Sequence, residues 1–564
     1  MLRTPFRRLA LLVASVAVVG FAAAAAFAAT FTDGQANNPQ VQGDPSSNAT
    51  AVFPTNKQNE PTIAVNPVDS TKLIAGSNDE QRQPPCGPGP VRGPGVPASD
   101  CSFFPGVGTS GIYTSSNGGA SWTNRGLLDD QPSWVANNLV SDGDPVIVYG
   151  PKPNGSGGFS YSDGARAYYS TLASYKPGTS PFPPNKAPEL LAVSYSDDNG
   201  ATWSAPVIAT TKKNPNDFND KESLWVDNLS SSPFFGRVYL SWTEFRSPIC
   251  CPSEPVAVAI STDGGQSFSA PKQLSPAGNN GTGNGRQGSA VTSGPDGSVY
   301  VAWEQGSEQV VAISRDGGDK WSRPVTIGTV DDIDDPIPGA NFRTDSFLSI
   351  SVDPRAGSAT LYAAWVNDSA LGGRVVVATS ANKGESWSGL QSVSTAVEGY
   401  AFFQGLDVAP NGRVDLGYQA LKTLHPETFG TGNAAIDSWY VSKAPGGVWT
   451  APTKVSSASS DPAASSQNNL ARQFYGDYNT LVSDSAHAWF IYTDARTGVG
   501  CPAVDQYQRI IAGTETVRGD FADRVATRLG QNPYSHEPGE KPAPPEHCAP
   551  QFGNTDAYVS VITP

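Results

Sequence analysis

The sequence is poor in charge, in histidine and in helix-forming residues. Only 16% of its 564 residues are charged, four are histidine, and the formal net charge is -15. Such a surface gives no electrostatic reason to bind nucleic acid or anionic lipid, so we expect neither partner. No CxxC pair is present, which together with the few histidines argues against a zinc site. After the N-terminus, no apolar run is long enough to cross a membrane.

The one long apolar run lies at the N-terminus. Arg3, Arg7 and Arg8 precede LALLVASVAVVGFAAAAAFAA, and the triplet Ala26-Phe27-Ala28 suits signal peptidase. At about 21 residues the run could also form an anchoring helix, but its alanine-rich end favours cleavage. We therefore expect residues 1–28 to be a signal peptide and the protein to be secreted and extracellular, without a membrane span after cleavage.

Six cysteines fit an oxidising compartment. Cys86 and Cys101 bracket one Pro/Gly-rich loop, Cys501 and Cys548 bracket another, and we predict a disulfide across each. The remaining cysteines, Cys250-Cys251, are adjacent, and a bridge between them would need a distorted peptide because neighbouring Cα atoms lie only about 3.8 Å apart. The alternatives are that Cys250 and Cys251 exchange partners with another cysteine pair, or that both remain free thiols.

What the chain has in quantity is glycine, proline, serine, threonine, valine and aromatic residues, a mixture typical of short strands joined by turns. One turn recurs with the pattern Ser-x-Asp-x-Gly-x-x-Trp. Its copies are SSNGGASW (115–122), SDDNGATW (196–203), STDGGQSF (261–268), SRDGGDKW (314–321), SANKGESW (380–387) and a decayed SKAPGGVW (442–449). The Asp or Asn oxygen can accept bonds from turn amides, the glycine tolerates positive φ, and the aromatic residue packs inward.

A second repeat places an apolar strand before each box, for example PTIAVNP from Pro61 and SLWVDN from Ser223, and another strand such as VYLSWTEF follows most of them. Each unit is then four strands with the box at the last hairpin, which predicts propeller blades. DYNTLVSDSAHAWFIYTD from Asp477 adds a seventh inner strand, with DAYVSVI and the stretch near TFTDGQ completing its sheet. We predict an all-β propeller of seven blades, with six as the alternative if two units merge. Residues 56–564 form the one domain, with loop insertions near 80–105 and 500–550, and residues 29–55 help to close the ring.

These boxes resemble the Asp-box (BNR) repeat of the sialidase superfamily, over nearly the whole mature chain. The resemblance implies that the box turns lie on one face as scaffold and that the ligand site lies on the opposite face, around the axis. Loops on that second face are rich in acids and arginines. Such groups suit a sugar acid or polyol, because arginine binds a carboxylate in bidentate fashion.

The resemblance also implies site residues. Tyr478 of Tyr478-Asn479-Thr480-Leu481 matches the place of the family's tyrosine nucleophile, Glu222 is the candidate for its glutamate partner, and Asp79 for the acid/base. The candidate substrate-binding residues, which include the arginine triad, are Arg82, Arg286, Arg343, Arg472 and Asp477. The arginine that opens the family's first blade has no counterpart here, because Gln58-Asn59-Glu60-Pro61 stands in its place.

The expected function is a secreted, sialidase-like glycoside hydrolase acting on extracellular glycans. The alternatives are a non-catalytic propeller that binds glycans or proteins at the cell surface, and, less favoured, a polysaccharide lyase. No cofactor is expected, although the carboxylates of DDIDDPIPG (331–339) suit a structural calcium ion as well as a solvated acidic loop.

Overall fold

The computed structural model describes residues 29–39, 57–82, 106–181, 189–210, 218–246, 253–277, 285–465, 470–515, 542 and 547–564. These residues form seven antiparallel sheets of four strands each, which confirms the prediction of seven blades. The predicted signal peptide, the predicted Cys86–Cys101 bridge and the Cys250-Cys251 pair lie outside the described residues.

The strands follow one another in the chain, four to a blade. The first three blades are β2 Gln58–Val65, β3 Leu73–Asp79, β4 Gly111–Ser115 and β5 Thr123–Leu127; β6 Leu139–Pro153, β7 Phe159–Tyr175, β8 Leu190–Ser196 and β9 Val207–Ile208; and β10 Phe218–Val226, β11 Val238–Phe245, β12 Val256–Ser261 and β13 Lys272–Gln273. Between β5 and β6 lie a 3-10 helix, Leu128–Asp130, and a four-residue helix α1, Pro132–Val135.

The next three blades repeat this order. They are β14 Arg286–Ser293, β15 Val299–Gln305, β16 Glu308–Ser314 and β17 Val325–Thr329; β18 Ser349–Val352, β19 Leu361–Asn367, β20 Arg374–Ser380 and β21 Gln391–Ser392; and β22 Tyr400–Val408, β23 Val414–Thr423, β24 Ala434–Lys443 and β25 Thr453–Lys454. A 3-10 helix, Pro462–Ala464, follows β25.

The seventh blade joins the two ends of the chain. Its inner strands are β26 Thr480–Ser483 and β27 Ala488–Asp494, followed by β28 Asp556–Thr563 and, outermost, β1 Thr30–Gln35. The pairing of β1 with β28 runs from Thr30 opposite Thr563 to Gln35 opposite Tyr558. Each inner strand contacts the inner strand of the next blade, and β26 contacts β2, so the ring is closed.

The core lies between neighbouring blades, where the second strands contribute large aromatic side chains. Trp242, Trp303, Trp365 and Trp489 occupy second strands of four blades, and each is at most 1% exposed. Tryptophan buries a large apolar area, so these side chains stabilise the contact between adjacent sheets. Their recurrence explains why similar tryptophan-containing strands, such as those with SWTEF or VAWEQG, repeat in the sequence.

The box turns have the geometry that the repeat predicts. In the third blade, Asp263 Oδ1 accepts bonds from the backbone N–H groups of Gln266 and Ser267, both at 3.0 Å. Ser261 Oγ accepts a bond from Gly265 N–H at 2.9 Å, and Gly265 has a φ of 83°. The same bond, from the glycine N–H to the serine Oγ, recurs in the other four well-preserved boxes at 2.8–2.9 Å. The register of β10, β11 and β12 puts this box at the opposite end of the blade from the start of β10.

We expect Asp263→Ala to lower the free energy of unfolding by about 1 kcal/mol, because two turn amides lose their acceptor. Burial alone would raise the pKa of Asp263, but hydrogen bonds from Ser267 and Ser261 hold it below its ordinary value. The carboxylate therefore stabilises the fold above a pH of about 4, and this contribution is lost as the pH falls further. Denaturant titrations of both proteins at pH 7 and pH 3 measure the difference.

Asp319→Ala is the control, because Asp319 lies on the same face with a side chain that is 70% exposed and makes only a 3.8 Å ion pair with Lys272. A loss of glycan binding by Asp263→Ala at unchanged stability would contradict a scaffold role for the boxes.

A long insertion separates β27 from β28. It contains helix α2, Pro502–Ile511, and the disulfide Cys501–Cys548, which confirms the predicted pairing of these two cysteines. Leu470, Val504 and Phe552 pack around the disulfide in a small apolar cluster of their own. Within the described ranges, no helix has the length and apolar composition that crossing a bilayer requires.

Candidate functional site

The inner strands share a β-bulge near the end opposite the boxes. The ladder register shifts there in five blades, between Asn59 and Thr62, Gly143 and Val146, Asp220 and Ser223, Gln287 and Ala290, and Phe402 and Gly405. The first bulged residue has positive φ in each case: Glu60 at 51°, Asp144 at 51°, Lys221 at 53°, Gly288 at 66° and Phe403 at 48°. Left-handed backbone is costly for residues other than glycine, and such strain concentrates at functional sites. Three of the five residues are charged.

Lys221 is the centre of these charged residues. Its ammonium group forms an ion pair with Asp477 and lies 3.6 Å from Asp144 Oδ2 and 3.8 Å from Glu60 Oε1. The Lys221 side chain is only 7% exposed, so a buried cation is matched by carboxyl groups from three other strands or loops. Side chains from the first three blades and from the segment just before β26 therefore meet around the Lys221 ammonium group.

Arg343 covers this point from the loop before β18. Its Nε and Nη2 donate to the two carboxylate oxygens of Asp477, both at 2.6 Å, and Nη2 lies 3.6 Å from Glu60 Oε1. The guanidinium lies 5.1 Å from the ring centre of Phe474. With 43% of its side chain exposed, Arg343 is the cation that an incoming ligand can contact.

Tyr478 is the next residue after Asp477 and is half-buried. Its ring centre lies 5.4 Å from Lys221 Nζ. Burial and the neighbouring carboxyls of Asp144 and Glu60 raise the pKa of Tyr478 well above its ordinary value, so the phenol is neutral. We call the group the axial cluster, which consists of Glu60, Asp144, Lys221, Arg343, Asp477 and Tyr478.

The pKa values of two carboxyl groups in the cluster are shifted in opposite directions. Burial alone would raise the pKa of Asp477, but the charges of Lys221 and Arg343 hold it below its ordinary value. Burial and the charge of Asp144 raise the pKa of Glu60 well above the ordinary range. The environment therefore favours the ionised form of Asp477 and the protonated form of Glu60, a division that acid–base chemistry can use.

Asn78 holds two members of the cluster in place. Its Nδ2 donates to Glu60 Oε2 at 2.7 Å, and its Oδ1 accepts from the backbone N–H of Asp144 at 2.8 Å. A Cβ atom on Gly143 would lie 2.5 Å from that Oδ1, so only glycine leaves room for this contact. The first and second blades are thus joined directly beneath the cluster.

Asp220 precedes Lys221 and is half-buried. Its Oδ2 accepts a bond from Gln287 Nε2 of the fourth blade at 3.3 Å. Burial, together with the charges of Asp144 and Asp477, raises the pKa of Asp220 to about 6 despite the nearby Lys221. A carboxyl group with this pKa can both give and take a proton near neutrality.

The structure brings Tyr478, Arg343 and Asp477 together in the axial cluster, and Glu222 lies close to it. Glu222 follows Lys221 in β10 and is 7% exposed, and neither of its carboxyl oxygens has a hydrogen-bond partner in the described ranges. Burial and the charge of Asp144 raise the pKa of Glu222 well above its ordinary value. Its environment therefore favours the neutral acid over the carboxylate.

The other predicted site residues make their contacts elsewhere. Asp79 has no exposed surface and accepts bonds from Tyr113 Oη at 2.6 Å and Gln58 Nε2 at 2.8 Å. Arg82 pairs with Asp130, Arg286 Nε donates to Gln305 Oε1 at 3.2 Å, and Arg472 pairs with Asp335. Of the four predicted arginines, Arg343 alone contacts an axial carboxylate among the described residues.

Glu60, Asp144 and Lys221 are not among the site residues predicted from the sequence. The signal that could have found Lys221 is its position between Asp220 and Glu222 at the start of an apolar strand. A lysine flanked by acids at the entry to a buried strand must lie beside other charged groups, because an unpaired charge is not buried.

Two further features adjoin the cluster. A cavity of about 820 Å³ runs along the axis toward the box face, lined by residues of all seven inner strands and by Lys221 and Tyr478. An acidic triad, defined as Glu304, Asp332 and Asp345, lies between the fourth and fifth blades, with one carboxyl oxygen of each within 4.8 Å of the others. Its member Asp345 is two residues from Arg343.

Comparison with known proteins gives one family model, several solved structures and no curated protein. The model of the BNR/Asp-box repeat matches residues 194–205, the turn between β8 and β9. No curated protein matches the chain.

Three solved structures represent the structural matches. The NanB sialidase of Streptococcus pneumoniae is 13% identical, with 75% of this chain and 80% of that chain covered and a TM-score of 0.36. A leech intramolecular trans-sialidase is 14% identical, with 66% of each chain covered and a TM-score of 0.38. An α-L-arabinofuranosidase of Fusarium graminearum is 13% identical, with 81% of this chain and 92% of that chain covered and a TM-score of 0.38.

Proposed function

We propose that this propeller is a secreted glycoside hydrolase that acts on extracellular glycans in the axial cluster. The observation that supports it is the convergence of a half-buried tyrosine, several carboxyl groups and an exposed arginine on the buried Lys221. Glycosidases need one group that attacks or stabilises the anomeric carbon and another that protonates the leaving oxygen. If these ion pairs served only to stabilise the fold, Tyr478 and Asp220 would not need to remain accessible beside them.

The residues fit two roles. Tyr478 is the proposed nucleophile: its oxygen would attack the anomeric carbon as the bond to the leaving oxygen breaks, and the neighbouring carboxyl group of Asp144 would take the phenol proton. Asp220 is the proposed acid/base, because its carboxyl group is accessible and its pKa of about 6 lies close to neutrality. In this scheme Arg343 orients the substrate, and Lys221 keeps Asp477 ionised and fixed.

The contacts of the arginines indicate which class of sugar the site favours. A substrate carboxylate would meet Arg343, whose Nε and Nη2 already bind Asp477. Since Arg82, Arg286 and Arg472 contact other groups, a site with one accessible arginine favours a neutral glycoside over a sialoside. Sialosides remain in the test because the box repeat is shared with sialidases.

A non-catalytic glycan-binding propeller is the second candidate, and a specific observation favours it. Asp79, which the resemblance assigns to catalysis, is enclosed by protein and cannot contact a sugar in this conformation, and Glu222, its other catalytic assignment, is only 7% exposed, at the wall of the axial cavity. A polar pocket lined by arginine, tyrosine and carboxyl groups can bind a glycan without cleaving it.

A panel of fluorogenic glycosides, including sialosides, neutral hexosides and pentosides, tests the hydrolase. We expect cleavage of at least one, with kcat/KM falling as the pH rises through about 6, because Asp220 must be protonated to donate. Asp220→Asn should lower kcat by about 10²-fold or more and remove this limb of the pH profile. Asp319→Asn, the same change at an exposed carboxyl on the box face, should leave both unchanged.

Glycan binding on an array without cleavage of any glycoside would favour the binding propeller. Cleavage that Asp220→Asn leaves intact would retain the hydrolase and reject Asp220 as its acid.

A further inference from the structure

The acidic triad is assembled from separate parts of the chain. Glu304 is the penultimate residue of β15, whereas Asp332 and Asp345 belong to the connection between β17 and β18. One carboxyl oxygen from each lies within 4.8 Å of the other two. Oxygens that surround one metal ion at 2.3–2.6 Å have separations of this size.

Within the part of the chain that the structure describes, no basic side chain pairs directly with these three acids. Among the described residues, none of the three forms an ion pair, whereas Asp477 at the axial cluster pairs with both Lys221 and Arg343. Carboxylates this close repel one another unless protons or a cation neutralise them. The acidic triad therefore lacks the directly paired positive charge that Lys221 and Arg343 supply to Asp477.

Gln309 supplies an independent indication of a missing ligand. It lies directly opposite Glu304 in the β15–β16 ladder, and opposed residues of an antiparallel pair project from the same face of the sheet. Its Nε2 donates to Ser346 O at 2.8 Å and lies 3.4 Å from Glu304 Oε2. The side chain is fully buried, yet its Oε1 has no hydrogen-bond partner among the residues that the structure describes. A buried amide oxygen without a donor costs free energy that a cation would recover.

The donor chemistry selects the ion. Three carboxyl groups and an amide oxygen, without nitrogen or sulfur, form a hard donor set that suits Ca²⁺ rather than zinc. Asp332 is exposed, so the remaining positions are open to water, and the irregular spacing suits calcium better than the strict octahedron of Mg²⁺.

We infer that the triad, together with Gln309, binds a calcium ion between the fourth and fifth blades. The ion would hold the connection before β18 against the end of β15. Arg343 lies two residues before Asp345 on that connection and binds Asp477 and Glu60, so calcium would also fix the arginine of the axial cluster. Calcium binding does not require that the cluster be catalytic.

Isothermal titration of EDTA-treated, dialysed full-length protein with CaCl₂ tests the site. We expect one ion per chain, with a Kd of about 10⁻⁵–10⁻³ M, and a rise in Tm on adding calcium. Glu304→Gln and Asp345→Asn should each weaken binding by at least about tenfold. Glu385→Gln, the same change at a 71% exposed carboxyl on the box face, should bind calcium as the wild type does.

Glu304→Gln and Asp345→Asn remain informative without calcium, because each removes repulsion among the three carboxylates. In the absence of calcium, each variant should therefore unfold at or above the Tm of the wild type. No calcium binding up to about 10 mM would overturn the inference. Binding that persists in both variants would place the ion elsewhere, and Mg²⁺ binding as tight as that of Ca²⁺ would reject the choice of ion.

Discussion

Replacing Lys221 with methionine is expected to lower the free energy of unfolding by about 3–5 kcal/mol at pH 7, because carboxyl groups that surround the buried ammonium lose their partner. Asp477 keeps its bonds to Arg343, but Asp144 has no other ion pair among the described residues. Removing one charge from a buried network lowers the free energy of unfolding by more than the intact network raises it. The reason is that the remaining charges are still buried but have lost their partner. Denaturant unfolding of both proteins at pH 7 measures the loss.

The pH dependence separates this effect from lost packing. The low pKa of Asp477 means that its ionised form stabilises the fold above the unfolded pKa of about 4, and that this contribution disappears as the pH falls. The difference in unfolding free energy between wild type and Lys221→Met should therefore narrow as the pH falls below about 4. Lys454→Met is the matched control, because Lys454 pairs with Asp437 at 2.6 Å with 37% of its side chain exposed. That change should cost at most about 1 kcal/mol. Equal losses in the two variants would contradict a central role for Lys221.

Removing the phenolic hydroxyl of Tyr478 is expected to lower kcat by a factor of about 10³ or more on any glycoside that the wild type cleaves. The Tyr478→Phe side chain keeps the ring beside Lys221, so we expect the free energy of unfolding to change by at most about 1 kcal/mol. Single-turnover kinetics would show whether the lost step is the formation of a covalent intermediate.

Tyr362→Phe provides the matched control, because Tyr362 is also half-buried but pairs with Ser351 toward the box face. It should retain wild-type kcat. Full activity of Tyr478→Phe would mean that the position shared with the sialidase nucleophile carries no nucleophile here, and an accessible carboxyl such as Asp220 would take its place.

Much of the fold could be predicted because its signals are local and repeated. Ser261, Asp263 and Gly265 make their bonds within one turn, so an eight-residue pattern contains the geometry, and several copies along the chain give the blade spacing. The disulfide Cys501–Cys548 was predictable for a related reason, since both cysteines border one insertion between adjacent strands.

The axial cluster could be predicted only in part, because its contacts join residues from opposite ends of the chain. Lys221 and Asp477 are 256 residues apart, and nothing near either one in the sequence identifies the other. The left-handed backbone that turns Glu60, Asp144 and Lys221 toward the axis is also invisible to composition and periodicity, since all three are ordinary residues in strand-like segments. The family resemblance predicts Tyr478, Asp477 and Arg343 for the site, but it predicts Asp79 and Arg82 as well, and those two make their contacts outside the cluster.

The seventh blade sets the order of events during folding. Blades one to six draw their strands from continuous stretches, so each can form as soon as its own residues leave the ribosome. The strand β1 is made first, but its partner β28 is made last, and Asn37 must reach Asp556 across 519 residues to bond with it. Until then the ring has an open seam with unpaired strand edges, which favour misassembly with other chains. Closure is therefore a late, long-range and slow step, and a nascent chain interrupted before residue 556 would keep the seam open permanently.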